Sequence, residues 1–198
     1  MEEKKQLSGE ESLRIIQQMI QSVQHEIHDS SFHYLLWGWL VFIASMLQFV
    51  VIKTGFDLPP YVGWMVLMPL GGIVATVYGR KMEKQKRVKT YLDEFLRYVI
   101  WAFLISLFIV LFFMGQLREH CYPMIMVVYA IWLFISGSAI RFTPIKIGGI
   151  INWALAIVAL FFTDLETQSL ILAAAVLLGY IIPGHMLKAK YAKQKLEN

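Results

Sequence analysis

The stretch "HEIHDSSFHYLLWGW", His25 to Trp39, decides the fold. Its first half crowds three histidines with two carboxylates. Its second half is apolar and aromatic, and no Asp, Glu, Lys or Arg follows Asp29 until Lys53. Two readings compete. Imidazoles and carboxylates are ligands that suit a divalent transition metal. A wet helix running into a bilayer gives the same pattern. On a helix His25, His28 and Asp29 share one face, at i, i+3 and i+4. Yet Asp29-Ser30-Ser31 also reads as a helix stop and restart, with Asp29 or Ser30 capping the apolar helix that follows. A capping carboxylate is already committed to backbone amides. His25, His28 and His33 are therefore the only metal candidates, and weak ones; the sequence predicts no metal and no cofactor.

The rest of the chain favours the membrane. Of 198 residues, 58% are hydrophobic and 16% charged, against roughly 45–50% and about 25% in globular domains. A single cysteine, Cys121, excludes an intrachain disulfide framework. Apolar runs fall at about 32–52, 61–79, 98–117, 121–140, 147–163 and 168–187. Crossing the hydrocarbon core takes about 20 residues, with a range of roughly 17–25. In lipid such runs must be helices, because no water satisfies their backbone. The expected fold is all-α: six transmembrane helices over 32–187, an amphipathic helix over 1–31 and a basic tail over 188–198. No signal peptide is expected, since residues 1–31 are polar where an apolar core would stand.

Charge sets the expected orientation. With six spans, sixteen of the eighteen Lys and Arg fall on the side of both termini; only Lys53 and Arg118 fall opposite. Under the positive-inside rule both termini are expected to be cytoplasmic. Because the basic residues flank spans, nucleic acid is not an expected partner. The opposite turns, "KTGFDLPP", "REH" and "DLETQ", are short. The cytoplasmic side carries more chain. "SGEESLRIIQQMIQSVQ" opens with a capping box, Ser8 and Glu11. A stripe of Leu13, Ile16, Met19, Ile20, Val23 and Ile27 follows. The basic linker 80–97 also reads as helix.

Spans 1 and 3 share a pattern, "HYLLWGWLVFIA" from His33 and "RYVIWAFLISLF" from Arg97. Tyr61 and Tyr122 open the second and fourth spans alike. Three parallel hairpin repeats are one reading. The ordinary preference of Trp and Tyr for membrane interfaces accounts for much of the match.

Chemistry is sparse. No span carries Asp, Glu, Lys or Arg well inside, where proton pumps and active transporters place them. Asn152, Gln48 and Thr76 are the candidate polar intramembrane site. Pro69, Gly71, Gly72, Pro183 and Gly184 are candidate hinges, since proline removes a helical donor and glycine permits close helix contact. "HEIHD" fails the zinc-protease pattern HExxH, having Asp29 where the second histidine belongs. No catalytic residue is expected.

Along its length the chain resembles small six-span bacterial inner-membrane proteins that have no assigned activity. The resemblance rests on the amphipathic start followed by "FHYLLWGWLVF", and it implies the bacterial inner membrane as the location. The expected function is interaction or regulation, through the cytoplasmic helices or self-association, with the bilayer and a protein as partners. A small transporter or channel for a neutral or apolar solute is the first alternative. A membrane enzyme acting on lipid, centred on His25–His33, is the second.

Overall fold

A computed structural model describes residues 9–83 and 91–196, with side chains for 31–81, 91, 93–190 and 192–193. Every regular element among the described residues is helical. The elements are α1 (Gly9–Thr54), α2 (Val62–Glu83), α3 (Tyr91–Phe112), the short α4 (Met114–Leu117), a 3-10 turn (Arg118–His120), α5 (Cys121–Ala139), α6 (Thr143–Ala159), α7 (Leu165–Val176), a π-helical turn (Leu177–Ile181) and α8 (Ile182–Leu196). Five stretches are long and apolar enough to cross a membrane: Ser31–Thr54, Val62–Lys81, Asp93–Phe112, Met114–Ala139 and Leu165–Lys190. The chain is a multi-pass helical membrane protein. The run expected over 147–163 corresponds to α6, which is apolar but 17 residues long.

The expected stop and restart at Asp29–Ser31 does not occur. α1 runs as one helix of 46 residues from Gly9 to Thr54. Ser and Asp inside a helix cost only about 0.7 kcal/mol or less each. Breaking the backbone at the lipid boundary would cost hydrogen bonds that lipid cannot replace. Helix α1 instead ends at Gly55, whose φ of +64° is the left-handed conformation that closes a helix at little cost. The stretch "DLETQ" is also not a simple turn: Leu165 to Gln168 form the first turn of α7. Asp164 caps that turn, its carboxylate accepting the Thr167 N–H at 2.7 Å. Ser8 of the expected capping box, and linker residues 84–90, lie outside the described residues.

Side-chain contacts fix the helix directions. Phe32 stacks on Tyr78 at 3.8 Å, while Gly63 lies against Ala44 and Leu47; α1 and α2 are therefore antiparallel. At the other end of α1, Lys53 pairs with Glu166 at 3.0 Å. Nearer its start, Tyr34 and Leu35 lie against Gly184. So α7 and α8 run back along α1. Helices α5 and α6 form a close hairpin. A Cβ on Gly137 would sit 2.6 Å from the Lys146 nitrogen, and one on Gly149 would sit 2.9 Å from the Ala130 carbonyl. Only glycine lets two backbones approach this closely.

Helices α1, α5, α6 and α7–α8 surround a shared core that includes Val41, Met126, Leu133, Ile145, Leu172 and Val176. Helix α2 leans chiefly on α1, and α3 on α5. None of the apolar stretch of α3 is buried, as suits a lipid-facing helix.

Candidate functional site

Polar side chains buried within the bundle fall into separate ties between helices. Near the α1 entry, the Tyr34 hydroxyl donates to Ser136 Oγ at 2.6 Å. Ser136 in turn donates to the Trp132 carbonyl one turn back. The tie joins α1 to α5. Around it lie Tyr180, 6.0 Å from Tyr34 between ring centroids, and Tyr129, 5.7 Å from Tyr180.

Toward the far end, Gln48 accepts from two helices through one oxygen. Its Oε1 takes the Trp64 indole N–H at 2.8 Å and the Tyr122 hydroxyl. This single side chain fastens α1 to α2 and α5. Asn152 sits midway along α6 and is fully buried. Its Nδ2 donates to the Gly148 carbonyl at 2.9 Å and to the Ala175 carbonyl at 3.1 Å. The same nitrogen fills the space over Gly179.

Gln168, also fully buried, has the widest reach. Its Nε2 donates to the carbonyls of Glu119 and Phe162, each at 2.6 Å. The start of α5, the end of α6 and the first turn of α7 are thereby held together.

Asn152, Gln48 and Thr76, the expected intramembrane site, are not brought together. Gln48 and Asn152 belong to different ties. Thr76 is exposed on α2 and donates to its own Gly72 carbonyl at 2.7 Å. The expected hinges also separate. α2 passes through Pro69 as a continuous helix. Gly71 is pressed against Trp37 and Leu40, whereas Gly72 has nothing near it. Pro183 follows the π turn, in which the Ile182 N–H reaches back to the Leu177 carbonyl. Proline has no N–H to give the carbonyl of Gly179. That carbonyl lies 2.8 Å from where a Gly148 Cβ would stand. The irregular turn thus sits on a close backbone crossing of α6. π turns inside α-helices are frequent at functional sites.

His33 is half-buried, 5.7 Å from Phe32 and 5.8 Å from Tyr78 between ring centroids. The side chains of His25 and His28 lie outside the described residues. Among the described residues no three His, Cys, Asp or Glu gather closely enough to hold a metal ion.

Gln168 and the Tyr34–Ser136 pair were missed in the sequence. Gln168 lay at the edge of a run taken for a turn. Ser136 was one of several polar residues within the spans, and nothing in the sequence pairs it with Tyr34. The residues expected to repeat between spans 1 and 3 also occupy different surroundings: Tyr34 is 5% exposed, Tyr98 63%.

Fold and ties define a class, a multi-pass helical membrane protein cross-braced by buried amides and hydroxyls. No protein-family model, curated protein or solved structure matches the chain.

Proposed function

We propose that the chain is a six-span protein of the bacterial inner membrane, both termini cytoplasmic, that acts without catalysis through the extension of α1. One observation carries the reading: α1 is uninterrupted from Gly9 to Thr54. Residues 9–30 would project roughly 33 Å beyond the membrane segment at ~1.5 Å per residue. A continuous helix does not bend sharply without a proline, a bulge or an inserted group. Binding at the extension is therefore coupled mechanically to the helix that contacts α2, α7 and α8.

The stripe Leu13, Ile16, Ile20, Val23 and Ile27 recurs at alternating three- and four-residue spacings. That is the seam a second apolar helix fits. Six spans rather than five are supported by α6. It starts beside the end of α5 and ends beside the start of α7, so it runs the same distance as its longer neighbours. At ~1.5 Å per residue its helix covers roughly 25 Å. The orientation rests on charge: Lys53 and Arg118 alone fall at the far end.

The test is photocrosslinking in the native membrane. A benzoylphenylalanine at Ile20, in the seam, should give one discrete crosslinked protein product. The same probe at Gln18, off the seam, should not. Ser30→Pro should leave the seam crosslink intact while uncoupling it from the bundle. Equal labelling from both probe positions would remove the reading.

A small-solute transporter is kept as a second reading on one observation. The buried atoms Asn152 Oδ1, Ser45 Oγ and Tyr180 OH have no hydrogen-bond partner. Buried polar atoms of this kind are uncommon and call for a partner. Liposome uptake of a neutral polar solute, lost in Asn152→Ala, would favour it.

A further inference from the structure

We propose that Arg141, Lys146 and Lys190 form a binding site for the headgroup of an anionic phospholipid, at the turn between α5 and α6. Phe142 marks the place: Lys190 lies over its ring, Arg141 precedes it in the chain and Lys146 follows it in the first turn of α6. Phe142 is buried, and Lys190 on α8 holds its Nζ 5.5 Å from that ring's centroid. Arg141, an exposed residue, precedes Phe142 with a φ of +52°. Lys146 lies one helical turn later, its N–H directed to the Phe142 carbonyl at 3.4 Å.

Lys53 is paired with Glu166, and Arg97 with Glu94. None of these three cations has a carboxylate partner among the described residues, a state shared with Arg80 and Lys81; what sets them apart is that α8 brings Lys190 onto the turn that carries Arg141. Concentrated positive charge of this kind persists where an anion is supplied from outside.

The depth of the site selects the anion. Asn152 lies about the middle of α6. The first residue of α6, Thr143, stands nine residues before it, roughly 14 Å along the axis at ~1.5 Å per residue, and Arg141 lies in the turn just beyond. Half of a hydrocarbon core is about 15 Å, so the turn meets the bilayer at the level of lipid phosphates. This placement rests on α6 crossing the membrane. The chemistry of the side chains agrees. A guanidinium offers paired donors to phosphate oxygens, and ammonium groups add point charge. A choline headgroup would bring a cation of its own. A glycerol headgroup would not, so phosphatidylglycerol is preferred over phosphatidylcholine. Basic pockets between membrane helices bind anionic headgroups in this way.

The experiment is native mass spectrometry on the full chain, extracted from bilayers holding equal phosphatidylglycerol and phosphatidylcholine. Each cation near a headgroup is worth about a five-fold preference. The wild type should retain phosphatidylglycerol. Arg141→Gln/Lys146→Gln/Lys190→Gln should lose about 100-fold of the preference, by the same per-cation factor. Lys190→Gln alone, an exposed change within α8 that folding tolerates, should lose about five-fold. Arg80→Gln/Lys81→Gln, at the end of α2, should lose none. Equal retention in the wild type and the Lys190 variant would overturn the proposal, as would equal loss in the α2 control. Displacement of the lipid by millimolar inorganic phosphate would show a free-anion site and overturn the assignment to lipid. None of these outcomes depends on the α1 extension, whose own test is the seam crosslink.

Discussion

Gly148→Ala tests the crossing of α6 over the π turn. The new Cβ would stand 2.8 Å from both the Cα and the carbonyl oxygen of Gly179, and 3.2 Å from its carbonyl carbon. All three are backbone atoms, so no side chain can swing away. The two helices must separate by several tenths of an ångström. Overpacking of this sort costs about 1–3 kcal/mol. The separation also stretches the Asn152 to Ala175 hydrogen bond, which starts at 3.1 Å. An interhelical bond in a membrane is worth about 0.6 kcal/mol, at most about 1.7. The expected loss is therefore about 2–4 kcal/mol. For a chain of this size that lowers the melting temperature by roughly 4–16 °C. Cys121 is the only cysteine and is buried, so a thiol-reactive fluorogenic dye reads the melt directly. Gly72→Ala and Gly79→Ala are the controls. Nothing lies within 4 Å of a Cβ at either position, and alanine favours the helix by up to about 1 kcal/mol. They should melt with the wild type or slightly above it. A Gly148→Ala variant that melts like the wild type would refute the reasoning. A Gly72→Ala variant that melts far below it would do the same.

Three further predictions concern the ties. Tyr34→Phe and Ser136→Ala should couple in a double-mutant cycle by about 0.6 kcal/mol and by no more than about 1.7; an additive cycle would leave their 2.6 Å contact without energetic content. Gln168→Leu removes the donor from the Glu119 and Phe162 carbonyls, at about 1–3 kcal/mol for buried groups left unpaired. Because Glu119 lies two residues before Cys121, dye labelling of Cys121 below the melting temperature should accelerate. Labelling at the wild-type rate would show that the loop is held by something else. Asp164 is held below its ordinary carboxyl range by hydrogen bonds from the Thr167 hydroxyl and then its N–H. A depressed folded value gives stability that is complete above about pH 4, the unfolded value, and is lost as pH falls through the lowered one. Asp164→Ala should therefore melt below the wild type at pH 7. The gap should close at acid pH, and a gap independent of pH would exclude the cap as its source.

Much of the bundle was legible because lipid leaves the backbone so few options. The runs expected at 32–52, 61–79 and 121–140 meet helical stretches at Ser31–Thr54, Val62–Lys81 and Met114–Ala139. Hydropathy and length decide such boundaries with no reference to neighbours. Partnership was not legible, because it depends on which face each residue occupies. Thr76 and Gln48 looked alike as polar residues inside spans. Thr76 falls on a face of α2 turned away from the bundle. Gln48 falls where Trp64 and Tyr122 both point. The continuity of α1 was misjudged for a different reason. Asp-Ser-Ser carries a strong local capping preference, and the lipid boundary outweighs it.

Helices α1 and α3 show how a shared span pattern ends in opposite roles. Aligned from Tyr34 and Tyr98, Gly38 falls against Ala102, Ala44 against Phe108, Ser45 against Ile109 and Gln48 against Phe112. The α1 side of each pair is small or polar, and the α3 side is larger and apolar. Without a Cβ, Gly38 admits Tyr180 and Ile181, whose nearest atoms lie 3.0 and 3.1 Å from where that Cβ would be. Ala44 is wholly buried and lies beside Gly63. Phe108 and Phe112, by contrast, are 66% and 69% exposed. Lipid is as apolar as a leucine side chain, so hydrophobicity does not draw one membrane helix onto another. Close backbone contact and hydrogen bonds do. Those are the features in which α1 differs from α3, and they make α1 a hub and α3 a lipid-facing wall.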